Sequence, residues 1–133
     1  MLPMNAGVEA AETACKIARR WGYVKKGIAD DQATIIMANG NFWGRSITAS
    51  GASSDPTRYE GFGPFTPGFP LIDFNDVGAF ERILNSPEGK NVCGIFLEPI
   101  QGEQGVIIPT KDYFPKIAKL CKQHNVLLIT DEI

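Results

Sequence analysis

Four short apolar runs, Thr34–Asn39, Leu71–Phe74, Val92–Leu97 and Val126–Thr130, are separated by stretches that include apolar residues at helical spacing. This alternation constrains the fold more than any other feature. A strand joined to the next through a helix crosses over and pairs in parallel. A run as continuously apolar as Val92-Cys93-Gly94-Ile95-Phe96-Leu97 has no face to offer water, so it needs cover on both sides. The expectation is an α/β fold: a mainly parallel sheet flanked by helices, whose strands need neighbours on both edges.

Between the strands, Gly7 opens a helix with Ala10, Ala14, Ile17, Ala18 and Trp21 on one face and Gly22 near its end. Asn75 or Asp76 caps a second helix that turns Val77, Phe80, Ile83 and Leu84 inward. Asp112 caps a third, with Tyr113, Ile117, Leu120 and Cys121 inward. Pro56 to Pro70 holds four prolines and three glycines with aromatics between them, which reads as an ordered irregular loop. Glu98–Pro109 reads as a second loop. No repeat, low-complexity tract or domain linker interrupts the chain.

Composition excludes several function classes. The net charge is -2 with both signs mixed along the chain, so no basic stripe points to nucleic acid. No apolar run approaches the roughly 20 residues that a membrane-spanning helix needs. Cys15, Cys93 and Cys121 are odd in number, widely spaced and set among apolar neighbours. They read as reduced core thiols of an intracellular protein rather than as a disulfide framework or metal site. Met1 is not followed by a signal-peptide pattern. His124, in the last turn of a helix, reads as a C-terminal cap rather than a catalyst.

In open parallel sheets, ligands gather at the carboxyl ends of the strands. Asp131-Glu132, just beyond the last apolar run, puts two acids there, where a ligand, a metal or a helix N-terminus is the usual partner. Glu98 and Glu103, on a loop shaped by Pro99 and Gly102, are an acid/base pair or part of a salt bridge. Asn5-Ala6-Gly7-Val8 sets a glycine at a helix start, where unpaired N–H groups and the helix dipole attract a phosphate. The plainer alternative is an ordinary turn. No Gly-Lys-Ser/Thr follows, which counts against a nucleotide hydrolase. Gly40-Asn41-Phe42-Trp43-Gly44-Arg45 offers a flat ring and an arginine fork for a carboxylate, or an aromatic plug with an exposed arginine. Within it, Trp43 reads as packing.

Taken together, these residues resemble the large domain of the ornithine aminotransferases, pyridoxal-phosphate enzymes of the aspartate-aminotransferase fold. The likeness runs through Leu2-Pro3-Met4-Asn5, Gly7-Val8-Glu9-Ala10, Glu12-Thr13-Ala14-Cys15-Lys16, Gly40–Arg45, Gly61-Phe62-Gly63-Pro64-Phe65, Glu98–Glu103 and Asp131-Glu132-Ile133. It implies that Gly7 and Val8 hold the phosphate of pyridoxal 5'-phosphate through their backbone and that Phe42 stacks on its ring. Asp131 pairs with the ring nitrogen in that family. Arg45 resembles the family's substrate arginine, which takes the α-carboxylate of L-ornithine. Glu103 resembles a switching glutamate that covers an arginine, absent from this chain, and releases it for 2-oxoglutarate. The same resemblance implies that Glu98 is a carboxylate near the cofactor. The implied reaction converts L-ornithine and 2-oxoglutarate to glutamate 5-semialdehyde and glutamate in a homodimer-based enzyme of the mitochondrial matrix or cytosol.

Ala6 departs from the hydroxyl residue that many relatives carry. None of the chain's lysines sits in the context of the family's Schiff-base lysine. The expectation is therefore that residues 1–133 form part of a cofactor-binding large domain. The N-terminal segment, the lysine region and the small C-terminal domain are expected to be absent from it, and these residues alone are expected to be inactive. The competing expectations are another ω-aminotransferase, of acetylornithine or 4-aminobutyrate type, and a non-catalytic truncated product.

Overall fold

The computed structural model describes residues 1–133. Its strands are β1 (Thr34–Ala38), β2 (Leu71–Ile72), β3 (Val92–Leu97) and β4 (Leu127–Thr130), all parallel, in the order β2-β1-β3-β4. The crossovers carry the helices α2 (Ile47–Gly51), α3 (Pro56–Tyr59), α4 (Val77–Leu84) and α5 (Tyr113–His124), while α1 (Gly7–Trp21) precedes the sheet. The parallel α/β class read from the alternation is the one observed. All six residues of β3 are buried, as a strand covered on both faces requires. The β1–β3 register shifts between Thr34 and Ile35, and beyond it Ile35, Ile36 and Met37 face Gly94, Ile95 and Phe96.

Each face of the sheet has its own core. On one, Ile36, Ile95 and Leu97 pack against Phe80 and Leu84 of α4 and Tyr113, Ile117 and Leu120 of α5. Asp76 caps α4 by accepting the Ala79 N–H at 2.9 Å, so of the two candidates the aspartate is the cap. Asn75 instead takes a left-handed φ of 68° and accepts the Thr110 N–H. Asp112 stands at the start of α5, but its side chain makes no cap bond. It pairs with Lys116 one turn on, which holds the carboxyl below its ordinary value.

The opposite face corrects the expectation for α1. The residues turned to the sheet are Ala11, Cys15, Ala18 and then Gly22, while Ala10 is exposed and Ile17 is 57% exposed. The cause is close approach. A Cβ on Gly22 would stand 2.8 Å from the Cys93 Cβ, and Gly94 lies under Ala18. Only small side chains fit a helix that close to a strand, so Ile17 faces outward, while Val8 and Trp21 pack half-buried against the margin of this core. The helix does not stop at Gly22 either. It widens into a π turn over Gly22–Lys26 and ends at Gly27, whose φ of 78° suits glycine. Lys26 then donates to the carbonyls of Val92 and His124, tying the turn to β3 and to the end of α5.

The three cysteines are free and buried, and burial pushes the Cys15 thiol up to about 12. No helix is long and apolar enough to cross a membrane. Because Phe80 is fully buried between α4 and the sheet, Phe80→Ala is expected to cost about 3–5 kcal/mol. Denaturant unfolding of the complete protein measures it, and a loss below about 1 kcal/mol contradicts this packing.

Candidate cofactor and substrate site

Because the strands are parallel, β1, β3 and β4 end at one edge, and the residues after them meet there. After β1, Gly40 takes φ 76° and Asn41 is buried, its amide donating to the carbonyls of Ala38 at 2.7 Å and Ala52 at 2.8 Å. These bonds fix the turn that presents Phe42. The Phe42 N–H donates to Glu98 Oε2 at 3.2 Å, joining the ends of β1 and β3. Trp43 is buried with its ring 5.8 Å from Phe96 and 6.1 Å from Phe69, so it packs as expected. Beyond β4, the Asp131 N–H donates to the Leu97 carbonyl at 2.9 Å, extending the ladder by one bond and fixing the aspartate backbone.

The start of α1 closes this edge. Ala6, in extended conformation, makes no side-chain cap bond. Its carbonyl accepts the Glu9 and Ala10 N–H groups, and the Gly7 and Val8 N–H groups have no partner within the chain. A Cβ on Gly7 would meet nothing within 4 Å, so that backbone is open to an approaching ligand. Gly44, at φ 142°, packs so tightly on Val8 that a Cβ there would fall 2.3 Å from Val8 Cγ2. The arginine loop and the helix start are thereby held together.

Two cavities result. One, of about 330 Å³, is lined by Gly7, Val8, Phe42, Trp43, Arg45 and Asp131 among others. The second, of about 380 Å³, is lined by Phe42, Arg45, Ile47, Arg58, Phe62 and Glu103 among others. They share Phe42, Gly44 and Arg45. Of the residues singled out in the sequence, Gly7, Val8, Phe42, Arg45 and Asp131 thus meet in the first cavity, and Phe42, Arg45 and Glu103 in the second. Glu98 lines neither. It lies buried at the end of β3, bonded to the Phe42 backbone.

The electrostatics of the edge are uneven. Burial raises the Glu98 carboxyl above its ordinary value against the Phe42 N–H bond, and Asp131 adds to the rise. Burial likewise raises Asp131. Arg45 lies 5.7 Å from the Phe42 ring centroid and has no carboxylate partner.

Sequence reasoning missed Arg58, whose guanidinium lies 5.0 Å from the same ring. It donates to the Asn41 carbonyl at 3.2 Å, pairs with Asp55 at 3.4 Å and reaches Glu103 Oε1 at 3.1 Å. The overlooked signal was Asp55-Pro56-Thr57, an acidic N-cap followed by proline at the first helical position. It starts α3, with Asp55 accepting the Thr57 N–H, inside the stretch read as irregular. The loop carrying Glu103 is set by paired bonds between Gln101 and Ile107 and by Gln101 donating to the Asn39 carbonyl.

A parallel sheet with these loops at its carboxyl edge and an open helix start opposite defines a class, and the family model for class-III aminotransferases matches residues 1–133. The chain belongs to the class-III aminotransferases. It is 55% identical over 133 residues to the mitochondrial ornithine aminotransferase of Drosophila ananassae and 56% identical to that of Rattus norvegicus. Each match covers all of this chain and 30% of the relative, so the chain spans about 30% of the length of these curated relatives. Two solved structures of the Toxoplasma gondii ornithine aminotransferase superpose with a TM-score of 0.93 at 53% identity, covering 98% of this chain and 30% of theirs. One of them has partial occupancy of pyridoxal phosphate at its active site.

The raised Glu98 carboxyl makes a signed prediction. The folded protein holds this proton more tightly than the unfolded chain. The stabilisation is therefore present at low pH and is lost as pH rises through the folded-state value. Glu98→Gln, which keeps an acceptor for Phe42 but no charge, is expected to raise the thermal midpoint at pH 7, with the gap closing towards pH 4. Paired melting curves of the complete protein check this, and an equal gap at both pH values contradicts it.

Proposed function

We propose that these residues form the cofactor cup and part of the substrate pocket of an ornithine δ-aminotransferase. The complete protein then moves the terminal amine of L-ornithine to 2-oxoglutarate, giving glutamate 5-semialdehyde and glutamate. One observation carries the reading. Unpaired N–H groups, a flat ring and a half-buried acid line one cavity, and an unpaired arginine leads from it into the next.

The residues fit pyridoxal 5'-phosphate. Gly7 and Val8 have free N–H groups and open space for its phosphate. Phe42 gives a face for the ring. Asp131, whose half-buried carboxyl has no cationic partner, suits a protonated ring nitrogen, which favours the ionised acid. When bound, the cofactor supplies an electron sink for negative charge developing at the substrate carbon.

The chain's own residues bind and orient. Arg45 takes the α-carboxylate of ornithine as a bidentate fork, which points the far end of the diamine towards the first cavity. Glu103 lines the second cavity with it as the local anion. No lysine lines either cavity, so this reading gives proton transfer at the substrate carbon to a group outside residues 1–133. A homodimer-based assembly, in the mitochondrial matrix or cytosol, completes it. The insect and rat relatives, both named mitochondrial, favour the matrix.

The test is transamination by the complete protein with L-ornithine and 2-oxoglutarate, with N-acetylornithine as the competing donor. Asp131→Ala is expected to lower kcat/KM by about a hundredfold or more, as removal of a charge partner to developing charge does. Arg45→Lys is expected to raise the KM for ornithine about tenfold with a smaller change in kcat, since a fork is exchanged for a point charge. Preference for N-acetylornithine, or an undiminished Asp131→Ala enzyme, overturns the reading.

A further inference from the structure

Phe42 lines both cavities, and the cofactor reading rests on its ring. Its backbone is fixed by the bond from its own N–H to Glu98 and by the anchored Asn41 before it. Those bonds do not set the ring, which is half-buried, faces cavity space and turns about its own torsions. The neighbouring Trp43 is held between Phe69 and Phe96, whereas two guanidinium groups stand against Phe42.

The two arginines differ. Arg45 is exposed, 5.7 Å from the ring centroid, and has no carboxylate partner. Arg58 stands 5.0 Å from the centroid, and every nitrogen of its fork is engaged. Nε meets Asp55 at 3.4 Å, Nη1 donates to the Asn41 carbonyl at 3.2 Å and Nη2 meets Glu103 at 3.1 Å. A guanidinium is rigid and planar, so partners on three sides fix its plane and whatever packs on that plane. A fork so occupied has little left for a ligand. Arg58 clamps, and Arg45 is left to bind.

From this we infer that Arg58 is a positioning residue that holds the Phe42 ring in the orientation in which it faces the cofactor. It acts through the ring and does not itself touch the cofactor. The single-turn helix α3 is then the element that delivers this clamp to the turn after β1. The inference deepens the reading above and rests on it for Phe42 as the plate under pyridoxal 5'-phosphate.

A double-mutant cycle in the complete protein tests it. Pyridoxal 5'-phosphate is titrated into the apoenzyme by calorimetry, and the circular dichroism of the bound cofactor's absorption band is recorded. Arg58→Met keeps a long apolar side chain and removes the fork. It is expected to weaken the cofactor about three- to fivefold, the scale of one cation–π contact, and to change the dichroism. In a Phe42→Leu background the same substitution is expected to change neither, because its effect runs through the ring. Arg58→Lys, which keeps a charge beside the ring without the fork, recovers part of the affinity.

An Arg58→Met effect of equal size with and without the ring makes Arg58 only structural and overturns the inference. So does a lower thermal midpoint of the apoenzyme with cofactor affinity and dichroism unchanged. Should Arg58→Met not fold, Arg58→Lys taken through the same cycle decides between coupling to the ring and none. If Phe42→Leu alone leaves cofactor affinity and dichroism unchanged, the cofactor reading of this ring falls and takes the inference with it. If Phe42→Leu weakens the cofactor and Arg58→Met does not, the inference alone falls.

Discussion

Parallel pairing of β1, β3 and β4 is the constraint on which everything else depends. It sends Phe42, Glu98 and Asp131 to one edge, although they are far apart in sequence, and the ladder continues past the strands through the Asp131 N–H to Leu97. Those pairings rest on burial of β3 from both sides. On one side α4 and α5 bring large residues. On the other, α1 comes so close to Gly94 and Cys93 that only Ala11, Cys15, Ala18 and Gly22 fit beneath it. The same approach sets where α1 begins. Gly44 against Val8 then ties that beginning to the loop after β1. Core packing and site geometry therefore share one origin.

Charge is distributed to match. The end of the sheet collects two acids, the buried Glu98 and the half-buried Asp131, with no cation of the chain paired to either, and desolvation raises both. The guanidinium groups of Arg45 and Arg58 lie instead beside the Phe42 ring. A ligand with an anionic phosphate at one end and a protonated ring nitrogen at the other meets free N–H groups and an acid in the first cavity. Carboxylates meet arginine in the second. This complementarity supports a pyridoxal-phosphate site beside an amino-acid pocket.

The strands were legible because continuous apolar runs between turn residues have few alternatives, and only their ends moved, as with β2 shortening to Leu71–Ile72. The family resemblance, carried by Gly7-Val8, Asn41–Arg45, Glu98–Glu103 and Asp131, was legible too, because these are dense local strings. The inward face of α1 was not. Hydrophobic spacing favours large residues such as Ile17, and the need for small ones is set by Cys93 and Gly94, which are remote in sequence. Arg58 was hidden for a related reason. Its partners Asn41, Phe42 and Glu103 come from other loops, and its helix is a single turn inside a proline-rich stretch. Asp112 looked like a cap and takes Lys116 instead, a choice between two local partners that spacing does not decide.

The most direct test of this account is a crystal structure of the complete protein grown with pyridoxal 5'-phosphate. The account predicts the phosphate against the Gly7 and Val8 N–H groups, the ring on Phe42 and the ring nitrogen within hydrogen-bond distance of the Asp131 carboxylate. A cofactor bound elsewhere, or one in this cavity with its ring nitrogen away from Asp131, contradicts it.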